Sequence, residues 1–183
     1  MKRFFLLLII INFPNLGLAA IKDKIINNLN SIENLSFKFE QNINGKIETG
    51  DCVIQYPKKI FCRYDKLNNK ILVSNGTSLV IKTNNGNYYR YRIERTPLNY
   101  ILDKNFLIQE IQNLKERVVD NKFVNFTFFK NENEINIFFD AQNYELIGWQ
   151  TLDIYQNLNI TYLYTIRKNQ ILEKNFFKLP PIN

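Results

Sequence analysis

The sequence predicts an α+β domain that is mostly β, and three observations predict it. Short runs alternate apolar and polar residues: Leu35, Phe37, Phe39, Gln41 and Ile43 point one way, Ser36, Lys38, Glu40 and Asn42 the other. The runs are joined by turn formers, among them Asn44-Gly45, Pro57-Lys58-Lys59, Asn75-Gly76 and Asn84-Asn85-Gly86-Asn87. Runs this short, joined this tightly, form antiparallel meanders. The 183 residues are 45% hydrophobic and 14% aromatic, which suits one folded domain with its own core and not a disordered chain.

Composition also narrows the chemistry. The chain has no histidine, which removes the commonest general base, the commonest metal ligand and every Ser-His or Cys-His nucleophile pair. Asp51, Asp65 and Asp153 are the carboxylates an enzyme could recruit, but groups in turns and strand ends are ordinarily solvated. The expectation is a protein that is not an enzyme and needs no cofactor or metal. The net charge of +7 is scattered among Asn, Ile and Tyr. That is the pattern of a solvated surface, with weak attraction to anionic membrane as the alternative. No nucleic-acid motif is present.

Taken in order, Met1-Lys2-Arg3, the apolar run Phe4–Phe13 and the small residues Gly17-Leu18-Ala19-Ala20 have the three-part layout of a secretory signal peptide. Cleavage is expected near Ala19 or Ala20, leaving one domain over residues 21–183. The first cysteine is Cys52, so the mature chain is not expected to be a lipoprotein itself. Ile21, Ile25, Leu29 and Ile32 recur at helical spacing and predict an amphipathic helix from Ile21 to Leu35. A first meander follows to Ile93, with aromatics on both faces of Tyr88–Ile93. Thr96 as N-cap and Pro97 at the first helical position then predict a short apolar helix through Leu102. The stretch from Phe106 to Val118 reads either as a helix or as a short helix and a strand. Phe123–Lys130, Glu134–Asp140, Tyr144–Ile154 and Asn159–Lys168 are four further strands, followed by an extended tail ending Phe176-Phe177-Lys178-Leu179-Pro180-Pro181.

Several of these pieces, in this order, resemble the LolA family, periplasmic carriers of outer-membrane lipoproteins. The glycine, proline turn and aromatic strand of Gly50–Tyr64, then Leu72-Val73-Ser74-Asn75-Gly76, carry the likeness first. Thr96-Pro97-Leu98 with Ile101-Leu102 resembles the family's lid segment. Leu146–Asp153, with Trp149 and Asp153 four apart, resembles its late strand, and Phe176-Phe177 before Pro180-Pro181 its closing tail. The resemblance covers essentially all of residues 21–183. It implies an unclosed, strongly curved antiparallel β-barrel with lid helices over a hydrophobic cavity. The implied partners are lipoproteins as cargo, an inner-membrane ATP-driven transporter that releases them, and an outer-membrane receptor. The carrier itself is expected to be a monomer. One departure stands out: where the family has a lid-holding arginine before the turn proline, this chain has Tyr56, which offers one donor instead of five. A lipid- or peptide-binding sensor module on the same fold is the alternative reading.

Strand alternation places Phe37, Phe39, Ile54, Tyr56, Ile60 and Tyr64 on one face. In a sandwich that face would meet a second sheet; in a single curved sheet it would line a pocket. With the curved sheet that the resemblance implies, the acyl-chain cavity is expected to be lined by Phe37, Phe39, Ile54, Tyr56, Ile60, Tyr64, Leu79, Ile81 and Trp149. The lid is expected to comprise Thr96, Pro97, Leu98, Ile101 and Leu102. Cys52 and Cys62 stand on neighbouring strands. A three-residue loop over Tyr56-Pro57-Lys58 sets Gln55 against Lys59 and Cys52 against Cys62, a pairing that allows a structural disulfide. Two buried thiols on the cavity wall are the alternative.

Overall fold

A computed structural model of the protein describes residues 16–65, 69–131, 133–152 and 156–182. The described strands form one antiparallel sheet. β1 (Asn34–Ile43), β2 (Lys46–Gln55), β3 (Lys59–Tyr64), β4 (Ile71–Asn75), β5 (Ser78–Lys82) and β6 (Tyr88–Arg92) run as a meander. A 3₁₀ turn at Ile93–Arg95 leads into helices α2 (Leu98–Ile101) and α3 (Lys104–Asn113). A second meander follows: β7 (Arg117–Val119), β8 (Phe123–Lys130), β9 (Asn133–Asp140), β10 (Leu146–Leu152) and β11 (Leu158–Lys168). The last strand returns to the first, giving the order β6-β5-β4-β3-β2-β1-β11-β10-β9-β8-β7.

This architecture corrects the expectation of a strongly curved half-barrel. The eleven-stranded sheet is open, β6 and β7 are its two edges, and it is neither closed nor strongly curled. Closure would need ladder hydrogen bonds between the end strands. Here the apolar face is covered by helices instead, so the sheet has no need to wrap upon itself.

The local chemistry of each element explains its form. Asn44 and Gly45 both take positive φ, 48° and 87°, as the tight hairpin between β1 and β2 requires. Helix α1 (Leu16–Asn30) buries Ile25 and Leu29 completely or nearly so. It ends earlier than the expected Leu35. Ser31 caps the last turn through Asn27 O at 3.2 Å, and Leu35 joins β1 opposite Ile54 of β2, because ladder pairing with β2 claims the backbone from Asn34 on. Helix α1 also begins upstream of the expected cleavage point. The rest of the expected signal peptide, residues 1–15, lies outside the described residues. So do Asp153 and Ile154, at the end of the strand expected over Tyr144–Ile154. The ambiguous stretch after Phe106 resolves into the end of α3 and the short strand β7.

Register places every inward residue on a common face. Phe39, Gly50 and Tyr64 stand opposite one another on β1, β2 and β3; Phe39 also faces Leu163 of β11, and Trp149 of β10 faces Ile137 of β9. This inner face meets the helices. Lys22 Nζ donates to Leu114 O at 2.5 Å and pairs with Glu116, and Lys104 Nζ donates to Ile32 O at 2.7 Å, so α1 and α3 are stitched together at both ends. On the outer face Val53, Phe61, Val73 and Val80 stand in one cross-strand row. The C-terminal tail crosses this side. Phe176 packs edge-on to Phe61 with ring centroids 5.4 Å apart, and Tyr88 and Lys82 donate to the carbonyls of Pro180 and Pro181.

Candidate functional site

Between the inner face of the first meander and α2 lies a cavity of about 300 Å³. Its walls draw on β1 to β6, β10, β11 and the segment Thr96–Ile101. Of the residues expected to line it, Phe39, Ile60, Tyr64, Leu79, Ile81 and Trp149 do. Phe37, Ile54 and Tyr56 share the same face but are buried in packed core beside it; Phe37 sits edge-on to Trp149 at 6.4 Å. Of the residues expected to form a lid, Thr96, Pro97, Leu98 and Ile101 line the cavity, while Leu102 is wholly buried.

Gly50 shapes the wall. It stands between Phe39 and Tyr64 in the ladder, and without a side chain there the two rings meet edge-to-face at 5.0 Å. A Cβ at this position would lie 2.0 Å from Arg63 O and 2.8 Å from the Phe39 ring. Cys52 and Cys62 are bonded to each other and lie directly opposite, with Cα atoms 4.1 Å apart, the close approach of a non-hydrogen-bonded pair. Both line the cavity.

The cavity has a polar end that the sequence reading passed over. Tyr64 OH donates to Gln41 Oε1 at 3.2 Å, and Gln41 Nε2 donates to Thr161 Oγ1 at 3.3 Å. Thr151 and Asn159 line the same end, and Asn159 Oδ1 is buried without a hydrogen-bond partner. Gln41 and Ile43 continue the β1 alternation and were legible. Thr151, Asn159 and Thr161 were not, because a polar residue on an inward position reads as a surface residue until β11 is seen to pair with β1.

Beside this end the Glu48 carboxylate is buried between two cations. Lys70 Nζ lies 2.5 Å from one oxygen and Lys46 Nζ 3.0 Å from the other, and Lys70 also sits 3.9 Å over the Tyr64 ring. Burial by itself would raise the Glu48 carboxyl, but the ammonium groups of Lys70 and Lys46 outweigh it and hold it below its ordinary range. Burial, with the Glu48 charge beside it, pushes the Tyr64 hydroxyl above the usual phenol range, so it stays neutral. A carboxyl lowered in the folded state stabilises fully above its unfolded value of about 4.3 and loses that contribution as the pH falls through the folded value. Glu48→Gln is therefore expected to cost about 2 kcal/mol at neutral pH, since Lys70 would stay largely buried without its partner. The deficit should shrink in acid. Urea unfolding of both proteins at neutral pH and below about pH 4 checks this; a deficit independent of pH would rule out the charge pair as its source.

The segment expected to form a lid is tied to the β2–β3 turn through Lys58, not through Tyr56. Lys58 N–H donates to Leu102 O at 2.7 Å, and Lys58 Nζ lies 3.6 Å from Asp103 Oδ2. The Tyr56 hydroxyl is buried and has no partner, and burial raises it above the phenol range. Thr96 does not cap α2 as expected. Its hydroxyl donates to Ile93 O at 2.9 Å and closes the 3₁₀ turn, while Pro97, with helical angles of −58° and −25°, occupies the cap position. Asp103 caps α3 by accepting from Phe106 N at 3.2 Å. Among the described residues no group of three or more His, Cys, Asp or Glu side chains could hold a metal, and no helix is long and apolar enough to cross a membrane.

Against known proteins, the family described as outer membrane lipoprotein carrier protein LolA matches residues 30–180. No curated protein matches. A LolA superfamily protein of Nitrosomonas europaea is similar in structure, at 6% identity over 88% of this chain and 97% of the other, with a TM-score of 0.46. LprF of Mycobacterium bovis is similar at 12% identity over 93% and 97%, with a TM-score of 0.45. MucB, in its complex with MucA from Pseudomonas aeruginosa, is similar at 9% identity over 90% of this chain and 61% of that one, with a TM-score of 0.48.

Proposed function

Because this chain belongs to the LolA family of outer membrane lipoprotein carrier proteins, we propose that it carries lipoproteins across the periplasm from the inner to the outer membrane, holding their acyl chains in the cavity beneath α2. The observation that carries this reading is the cavity itself: apolar walls supplied by six consecutive strands, roofed by a four-residue helix. Each buried methylene gains about 0.8 kcal/mol, so a diacyl or triacyl anchor does not cross water unaided. A roof attached by few hydrogen bonds competes with cargo for the same apolar surface, which moderates affinity and permits release. No bond is made or broken. The carrier takes its cargo from an inner-membrane ATP-driven transporter and delivers it to an outer-membrane receptor, and residues 1–20 serve as the export signal.

Mass spectrometry of material copurifying with the protein from a periplasmic extract tests this. The expected result is acylated lipoprotein in stoichiometric amount. Free phospholipid or an unacylated peptide in its place would favour a sensor module on the same fold.

A further inference from the structure

The outer face of the second meander bears a separate groove of about 440 Å³, on the opposite side of the sheet from the cavity. Its floor is one cross-strand row. Arg117, Asn125, Phe138, Gly148 and Tyr162 lie directly opposite one another on β7, β8, β9, β10 and β11. At about 4.8 Å per strand the row extends some ~19 Å. Gly148 again acts as a gap: a Cβ there would come 3.3 Å from the Phe138 ring and 2.5 Å from Thr161 O. Across that gap Phe138 and Tyr162 stack at 6.3 Å with their planes 21° apart, and Tyr162 is 40% exposed. The adjoining row is polar: Thr127, Asn136 and Gln150.

Thr127 Oγ1 donates to Asn136 Oδ1, but the amides of Asn125 and Gln150 are unspent. Asn125 is 94% buried by its exposure of 6%, lines the groove, and its Oδ1 has no partner. Neither end of that amide, nor the Gln150 amide, is bonded to a described residue, so either can turn toward a ligand without losing a bond. Arg117 has no acidic partner among the described residues, and Glu134, which accepts from Asn136 Nδ2 at 2.9 Å, balances it within the groove. A buried amide oxygen without a partner is costly to fold around, which points to a ligand that supplies a donor.

We propose that this groove binds a short glycan of N-acetylated sugars. Two unpaired amides match the acetamido group, which offers both a donor and an acceptor. The Phe138 and Tyr162 rings supply apolar surface for the apolar face of a sugar ring and for the acetamido methyl. The site carries no net charge, so it is not built for an anion. An extended peptide would seek backbone pairing, which only the edge strand β7 offers, at one end of the groove; along the rest of the row β8, β9, β10 and β11 are each paired on both sides and offer side chains alone. An acyl chain would leave the amides unpaired.

Saturation-transfer NMR and calorimetry with tri-N-acetylchitotriose test the proposal on the full protein. The expected dissociation constant is near or below about 1 mM, with maltotriose at least about fivefold weaker. Tyr162→Ala and Asn125→Ala should each weaken binding about tenfold. Amide shifts on the wild-type protein should map to β8–β11 and not to the cavity, a readout independent of how the variants fold. No saturable binding at about 10 mM overturns the proposal. So does equal affinity for maltotriose, binding that survives both substitutions, shifts confined to the cavity, or tighter binding of a blocked tetra-alanine peptide.

Discussion

Gly50→Ala is expected to lower the stability of this protein by about 3 kcal/mol, the upper range for overpacking a tight site. The new methyl would lie 2.0 Å from the backbone oxygen of Arg63, and backbone cannot move aside as the end of a side chain can. Either β2 and β3 separate, which strains the ladder on both sides of the Cys52–Cys62 bond, or the Phe39 ring leaves its place against Tyr64. Urea unfolding monitored by circular dichroism measures the loss. A change below about 1 kcal/mol would mean that the strands already have slack at this point. The same variant should also bind an acyl probe less well, because Phe39 and Tyr64 are both cavity wall.

Ile81→Glu is expected to abolish acyl binding, by about a hundredfold or more, while costing the fold little. Ile81 lines the cavity from β5 but is only partly buried, near the β6 edge of the sheet. In the empty protein the carboxylate can reach water. With an acyl chain beside it, the charge must be desolvated, which is the more costly state. Fluorescence titration with a dipalmitoylated lipopeptide gives the affinity, and thermal unfolding gives the stability. If both fell together, the cavity would be ordinary core and the carrier reading would lose its physical basis. Phe39 and Leu79 are poorer probes, since both are almost wholly buried and a charge there would unfold the chain and empty the cavity alike.

What the sequence determined by itself was the local part of this protein. Period-two alternation set the inner and outer faces of β1, β2 and β3, and turn chemistry set their register, which is why Cys52 could be placed opposite Cys62 from the loop between them alone. The apolar half of the cavity wall was legible for the same reason, since Phe39, Ile60, Tyr64, Leu79 and Ile81 lie on strands that follow one another in the chain. The tertiary structure decided everything that depends on distant pairing. Only the return of β11 to β1 brings Thr161 to Gln41 and gives the cavity its polar end. Only helix docking separates Ile54 and Phe37, sealed in core, from Phe39 and Ile81, left open to the cavity, although all share one face. The sheet's open, weakly curled form likewise follows from helices covering its apolar face. A strand's pattern states which side is apolar, but what lies against that side is settled by segments far away in sequence.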